Sequence, residues 1–174
     1  MAIAITQERF LVQRKAEYDL LLHRHTGSSR ETAAAAHVPE DHIAKAVVVR
    51  HGVDYTIVII PASRCLRMDD LRRELGRDLQ LATEEEIAQL FEDCEPGAVP
   101  PLGPAYGVET LLDEVLNSLD DVYFEAGDHE QLVHIRGEGF QGLLRGVQRG
   151  YYSHTDKLNP EDGSTRRGTR HGAS

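Results

Sequence analysis

Three stretches of this 174-residue chain hold residue types that can bind an anion or meet a carbonyl. The first is Lys45. Of 19 basic residues only Lys15, Lys45 and Lys157 are lysines, yet Lys45 stands in Ile43-Ala44-Lys45-Ala46-Val47-Val48-Val49, at the head of an apolar strand-like run. A long cation there either snorkels from a sheet edge or points into a cleft to meet an anion or carbonyl. The second is the loop at residues 96–107, which holds four of the seven prolines (Pro96, Pro100, Pro101, Pro104) and the glycines Gly97, Gly103 and Gly107. Proline fixes φ and glycine lets backbone approach closely, so such a loop is either a rigid connector or a cradle presenting N–H groups to a developing oxyanion. The third is Gly127-Asp128-His129, where an imidazole meets a turn.

Several chemistries are excluded. The histidines of His129-Glu130-Gln131-Leu132-Val133-His134 are five apart, whereas a zincin needs them four apart on one helical face. His23 and His25 would share a strand face but lack a third ligand, so no metal or other cofactor is expected. There is no G-x-S-x-G, phosphate-binding loop or dinucleotide fingerprint. Cys94 lies just before the rigid loop, either as a thiol near a cleft or as a small buried hydrophobe.

The elements that must position these residues follow from periodicity and capping. Thr6 is expected to cap a helix carrying Phe10 and Leu11, and residues 18–25 read as a strand. Ser28 with Glu31 forms a capping box for a helix over 29–37, and Pro39 starts a short helical turn. Residues 44–50 and 55–61 form a β-hairpin of β-branched residues, covered on both faces because its apolar run is continuous. A helix over 69–75 ends at Gly76, and Thr83 with Glu86 caps another over 84–91. Residues 122–125 and 131–136 form a second hairpin, and 138–145 a closing helix. The expected fold is α+β (mixed α/β), a single domain with a mixed, largely antiparallel sheet and flanking helices. The packed domain is set at residues 1–147, with 148–174 a flexible tail.

The chain is acidic, with 29 acids against 19 bases and a net charge of −10. That excludes a protein that coats duplex nucleic acid. Residues 78–135 contain 15 acids and no lysine or arginine. Phosphate contacts are therefore expected from Arg64, Arg67, Arg72, Arg73 and Arg77, or from Arg166, Arg167 and Arg170. No apolar run approaches the length of a membrane span, and two cysteines without a C-x-x-C point to a reducing cytoplasm.

Taken together and in order, these motifs resemble the YbaK/EbsC-type aminoacyl-tRNA deacylases, related to the editing domain of bacterial prolyl-tRNA synthetases. The resemblance spans residues 20–146. It rests on Pro39-Glu40-Asp41-His42-Ile43-Ala44-Lys45, on Gly97-Ala98-Val99-Pro100-Pro101-Leu102-Gly103 and on Val122-Tyr123-Phe124-Glu125-Ala126-Gly127-Asp128-His129. It implies that Lys45 is the characteristic functional residue and that a G-x-x-x-P loop, Gly97 to Pro101, presents the amides of Gly97, Ala98 and Val99. It further implies that Gly127, Asp128 and His129 close the pocket and that the segment containing Ser29 and Thr32 lines it. His129 is left open between binding the α-amino side and moving a proton. The implied activity is trans-acting hydrolysis of a mischarged tRNA carrying a small amino acid, without metal. Its partners would be the acceptor end of the tRNA and an aminoacyl-tRNA synthetase. A non-catalytic module that binds a small ligand or a tRNA end, and a thiol hydrolase using Cys94, are the alternative readings.

Overall fold

The computed structural model describes residues 3–155. Chain order is α1 (Ile5–Gln13), β1 (Tyr18–Leu22), α2 (Ser29–Ala36), β2 (Ala44–His51), β3 (Asp54–Pro61), β4 (Arg64–Leu66), α3 (Met68–Leu75), β5 (Gln80–Leu81) and α4 (Glu84–Leu90). There follow β6 (Glu109–Asp113), β7 (Asp121–Glu125), β8 (Gln131–Arg136), α5 (Gly137–Leu143), β9 (Gln148–Gly150) and β10 (Ser153–Thr155). A five-stranded sheet has the order β5-β2-β3-β6-β9, and β1-β8-β7 form a three-stranded antiparallel sheet. The β3–β6 and β6–β9 pairs are parallel and the other ladders antiparallel. This is the mixed α+β arrangement expected.

The β2–β3 hairpin is the spine, and alternation along it explains why its apolar run is continuous. Val48, Ile57, Ile59 and Leu112 face one core with Phe10, Phe91, Phe124 and Phe140. Val49, Val58, Ile60 and Leu111 face a second core with Leu71, Leu79 and Tyr152. Both faces of the strand pair are thus covered, and neither can tolerate polar alternation.

Two of the expected caps form, and one does not. Ser28 Oγ accepts from the Glu31 N–H, but the Glu31 carboxylate accepts from the Gly27 N–H and does not close the box on Ser28, whereas Thr83 and Glu86 make the complete capping box. Ala4, not Thr6, is the N-cap of α1, because the Thr6 N–H is taken by Asp93 Oδ2 at 2.8 Å. The first strand stops at Leu22, leaving His23 and His25 in the following loop.

The boundary expected at residue 147 is corrected. Gln148–Gly150 adds a parallel strand to β6, and Ser153–Thr155 pairs with β4. Tyr152 is buried, and Asp113 accepts from the Tyr152 N–H and the Ser153 hydroxyl. A segment without apolar periodicity is held by partners that arrive from far upstream. Arg166, Arg167 and Arg170 lie outside the described residues.

Candidate functional site

The site begins at a break in strand pairing. On the edge of β2 away from β3, Ile43 makes a parallel bridge to Tyr123, and Val49 and Arg50 pair with β5. Between these contacts the edge carries no ladder. Val48 turns its carbonyl outward to the Ala82 N–H, and strand alternation gives Ala46 the same outward direction for both its N–H and C=O. A pocket of about 120 Å³ fills this gap, lined by the strand from Ile43 to Val48 together with Ser29, Ile87, Gly97, Val99 and Glu125.

The bridge also fixes which side chains meet. In a parallel pair, steps of two residues keep the same face, so moving on from Ile43 and Tyr123 brings Lys45 and Glu125 to one face at one end. Both line the pocket. Lys45 is half-buried and, among the described residues, its ammonium makes no hydrogen bond or ion pair.

Glu125 was not singled out by its sequence. It is 7% exposed, its Oε1 accepts from the Thr32 hydroxyl at 3.2 Å, and its Oε2 is buried with no partner. Burial pushes its carboxyl up to about 7, against the opposing pull of His129 and the Thr32 hydroxyl. The signal was available, since Val122-Tyr123-Phe124-Glu125-Ala126 places an acid in an apolar strand just as Ile43 to Val49 places a lysine.

The proline-glycine loop supplies part of the cradle. Gly97 and Val99 line the pocket. The Ala98 N–H is turned back onto the Glu95 carbonyl at 3.1 Å, and Ala98 is fully buried. Of the three expected amides, those of Gly97 and Val99 make no hydrogen bond among the described residues. Pro100 and Pro101 are buried and shape the loop from beneath without lining the pocket.

The hairpin tip supports this loop. Gly127 has φ +108°, and a Cβ there would lie 2.8 Å from the Ala4 Cβ, so only glycine fits. Asp128 accepts from the backbone N–H groups of Glu130 and Gln131 and from the Gln131 side chain, which makes it the organiser of the turn. His129 adopts φ +59° and donates Nε2–H to the Pro96 carbonyl. Its ring stands where a Cβ on Gly97 would come within 3.3 Å of Cε1. His129 thus presses on the loop from behind and is not among the residues lining the pocket. Thr32 is buried behind Glu125, sharing a 2.6 Å hydrogen bond with Thr26, while Ser29 lines the pocket.

Two other features bear on the chemistry. Cys94 lies under the loop, its thiol pushed up to about 12 by burial and by the neighbouring Asp93 carboxylate. The arginines expected to meet phosphate are engaged within the chain. Arg64 is held by Ser153, Arg67 and Arg73 by Asp70, Arg72 by Asp69, and Arg77 by Glu109. Among the described residues, no three His, Cys, Asp or Glu side chains gather to hold a metal, and no helix is long and apolar enough to cross a membrane.

The pocket of this α+β domain thus brings together an unpaired lysine, a buried carboxyl group and two residues of the proline-glycine loop. The chain belongs to the aminoacyl-tRNA editing domain family, whose model matches residues 23–143. Solved structures share the fold. One is the hypothetical protein APE2540, with a TM-score of 0.75 and 24% identity over 86% of this chain and 99% of that one. Another is described as a candidate trans-editing enzyme for prolyl-tRNA synthetase, with a TM-score of 0.73 and 23% identity over 87% and 96%. The fold also occurs within a longer Marinobacter aquaeolei chain described as a candidate signal-transduction protein, with a TM-score of 0.69 and 18% identity over 86% of this chain and 30% of that one. No curated protein matches the chain.

Proposed function

We propose that this protein is a trans-acting, metal-independent deacylase that hydrolyses the ester of a mischarged tRNA bearing a small amino acid. The observation that carries this reading is the convergence of Lys45, Ser29, Glu125, Gly97 and Val99 on one pocket of about 120 Å³. That volume is well below the roughly 300–1,000 Å³ that encloses a drug-sized ligand, and it suits a small side chain. Family membership supports the editing activity.

The chemistry asked of the protein is modest because an aminoacyl ester is labile. The N–H groups of Gly97 and Val99 hold the carbonyl oxygen as it gains charge, and one such preorganised donor contributes about 3 kcal/mol. Water attacks the carbonyl carbon, the bond to the ribose oxygen breaks, and that oxygen takes the proton as the free amino acid leaves. The neighbouring ribose hydroxyl orients the water, so the step needs no covalent attack by Ser29 or Lys45, the two nucleophile-bearing side chains on the pocket. Lys45, with no internal partner, anchors the anionic acceptor end or orients the ester. His129 positions the loop by its bond to Pro96. The acceptor end of an aminoacyl-tRNA is the partner, an aminoacyl-tRNA synthetase is the source of the error, and the cytoplasm is the place of action.

The test is deacylation of a panel of aminoacyl-tRNAs by wild type and Lys45→Ala, with chelator and reductant present. Hydrolysis of one small-residue ester that Lys45→Ala loses is the expected result. No hydrolysis across the panel overturns the reading in favour of a binding module.

A further inference from the structure

Glu125 is an expensive residue to keep where it is. A carboxylate out of water is strongly disfavoured unless hydrogen-bonded and paired with a cation. Glu125 has one hydrogen bond, from Thr32, and an Oε2 with none. Among the described residues no ion pair includes it, although Lys45 lines the same pocket. Thr32 is itself fixed from the other side by Thr26, and its one hydroxyl proton is divided between Glu125 Oε1 and the Ser28 carbonyl at 2.9 Å. The side chain is thus held rigidly at the pocket wall with an acceptor unused.

We propose that Glu125 is the receptor for the α-ammonium of the bound aminoacyl group, so that the pocket accepts acyl esters with a free amine and rejects those whose amine is acylated. This deepens, and for its biological meaning rests on, the deacylase reading above. The missing partner must bring both a positive charge and a hydrogen-bond donor, and every aminoacyl ester carries both on the carbon next to its carbonyl. Fixing that nitrogen at Oε2 leaves the carbonyl carbon two bonds away, within the pocket that Gly97 and Val99 also line. With the pocket empty, burial holds the Glu125 carboxyl up to about 7, so about half of it is protonated at neutral pH, and an arriving ammonium favours its ionised form. The groups acting on it are His129, Asp128 and His25 as charges and Thr32 as donor. His129 has given its Nε2–H to Pro96. An N-acylated ester, such as a peptidyl-tRNA, brings a neutral amide with no charge to compensate the buried acid.

The experiment uses the full chain and non-hydrolysable adenosines carrying alanyl, seryl, threonyl, cysteinyl or prolyl groups in amide linkage at the 3′ position, each free or N-acetylated. Binding is followed by calorimetry, and hydrolysis of the corresponding free and N-acetylated aminoacyl-tRNAs is measured in parallel. Wild type is expected to bind at least one free-amine form about tenfold or more tighter than its acetylated counterpart. Glu125→Gln should lose that preference with its thermal transition intact, and Glu125→Asp should recover part of it. Equal binding of free and acetylated forms, a preference kept by Glu125→Gln, or no binding of either form overturns the proposal. A preference in binding without hydrolysis of any ester retains the ammonium receptor and removes the deacylase reading. Equal hydrolysis of free and acetylated esters removes the receptor and retains the deacylase.

Discussion

The Glu95 N–H donates to the Gly127 carbonyl at 2.8 Å, tying the start of the proline-glycine loop to the tip of the β7–β8 hairpin. His129, two residues further along the tip, holds the next turn of the same loop through the Pro96 carbonyl. The loop segment on the pocket is therefore held by one backbone and one side-chain contact from a hairpin that itself contributes Glu125. Loop and carboxylate form one rigid unit, which is what preorganised stabilisation of a developing charge requires.

Gly127→Ala should break this unit. The substitution forces a side chain into φ +108° and a Cβ to within 2.8 Å of Ala4. A cost of about 1–3 kcal/mol is expected from the backbone conformation alone, before the clash is counted. The unfolding free energy measured in urea should fall by that amount or more, and deacylation should fall further than stability explains. Gly52→Ala is the control, because Gly52 has φ +61° with no atom near the new Cβ, and it should cost about 1–2 kcal/mol and leave catalysis intact.

Much of this architecture is legible in the sequence, for identifiable reasons. The β2–β3 hairpin declares itself because both faces are buried and its β-branched run is unbroken. The caps at Ser28 and Thr83 are local motifs that need nothing beyond their own three residues. Strands β4, β5, β9 and β10 are two or three residues long and exist only because a distant strand offers its edge, so no local pattern marks them. At the site, Lys45 and Gly97 are conspicuous as types out of place. The diversion of the Ala98 N–H to Glu95 and the placement of His129 behind the loop depend on how the hairpin tip docks. Glu125 carried the same kind of signal as Lys45, an ionisable residue in an apolar strand, and its meaning emerges only from the bridge between Ile43 and Tyr123.

Cys94→Ser should leave deacylation unchanged. The thiol is pushed up to about 12 by burial and the Asp93 carboxylate, so it is uncharged at neutral pH and is no nucleophile. Alkylation by iodoacetamide at about pH 8 should be slow in the native protein and fast after unfolding, because reactivity follows the thiolate fraction. Loss of activity in a folded Cys94→Ser variant would restore the thiol-hydrolase reading.

The arginines of α3 and its flanks are the obvious phosphate contacts by composition, yet Arg67, Arg72, Arg73 and Arg77 are each paired with a carboxylate of the chain and Arg64 is held by Ser153. Arg73 is 76% exposed at its side chain and pairs with Asp70, which Arg67 also holds. Arg73→Ala should change stability by less than about 1 kcal/mol, as for other exposed pairs. The dependence of acceptor-end binding on salt should also stay unchanged, since removing a true phosphate contact lowers that slope by about one unit. A plot of the logarithm of affinity against that of salt concentration for the two proteins decides it.

Glu125 also gives stability a pH dependence whose sign can be worked out. Burial raises its folded-state value from 4.5 to about 7, so between those values the folded protein holds a proton that the unfolded chain has released. Stability from this group is thus fully present below about pH 4.5 and declines as pH rises towards 7. The difference between the two values converts to roughly 3 kcal/mol at about 1.4 kcal/mol per unit. Glu125→Gln keeps the shape and removes the titration. Its stability relative to wild type should therefore rise between pH 5 and pH 7.5, read as the difference in denaturant midpoint so that every other titrating group cancels. A difference that stays flat across this range would mean that Glu125 is ionised in the free pocket and already has a cation beside it.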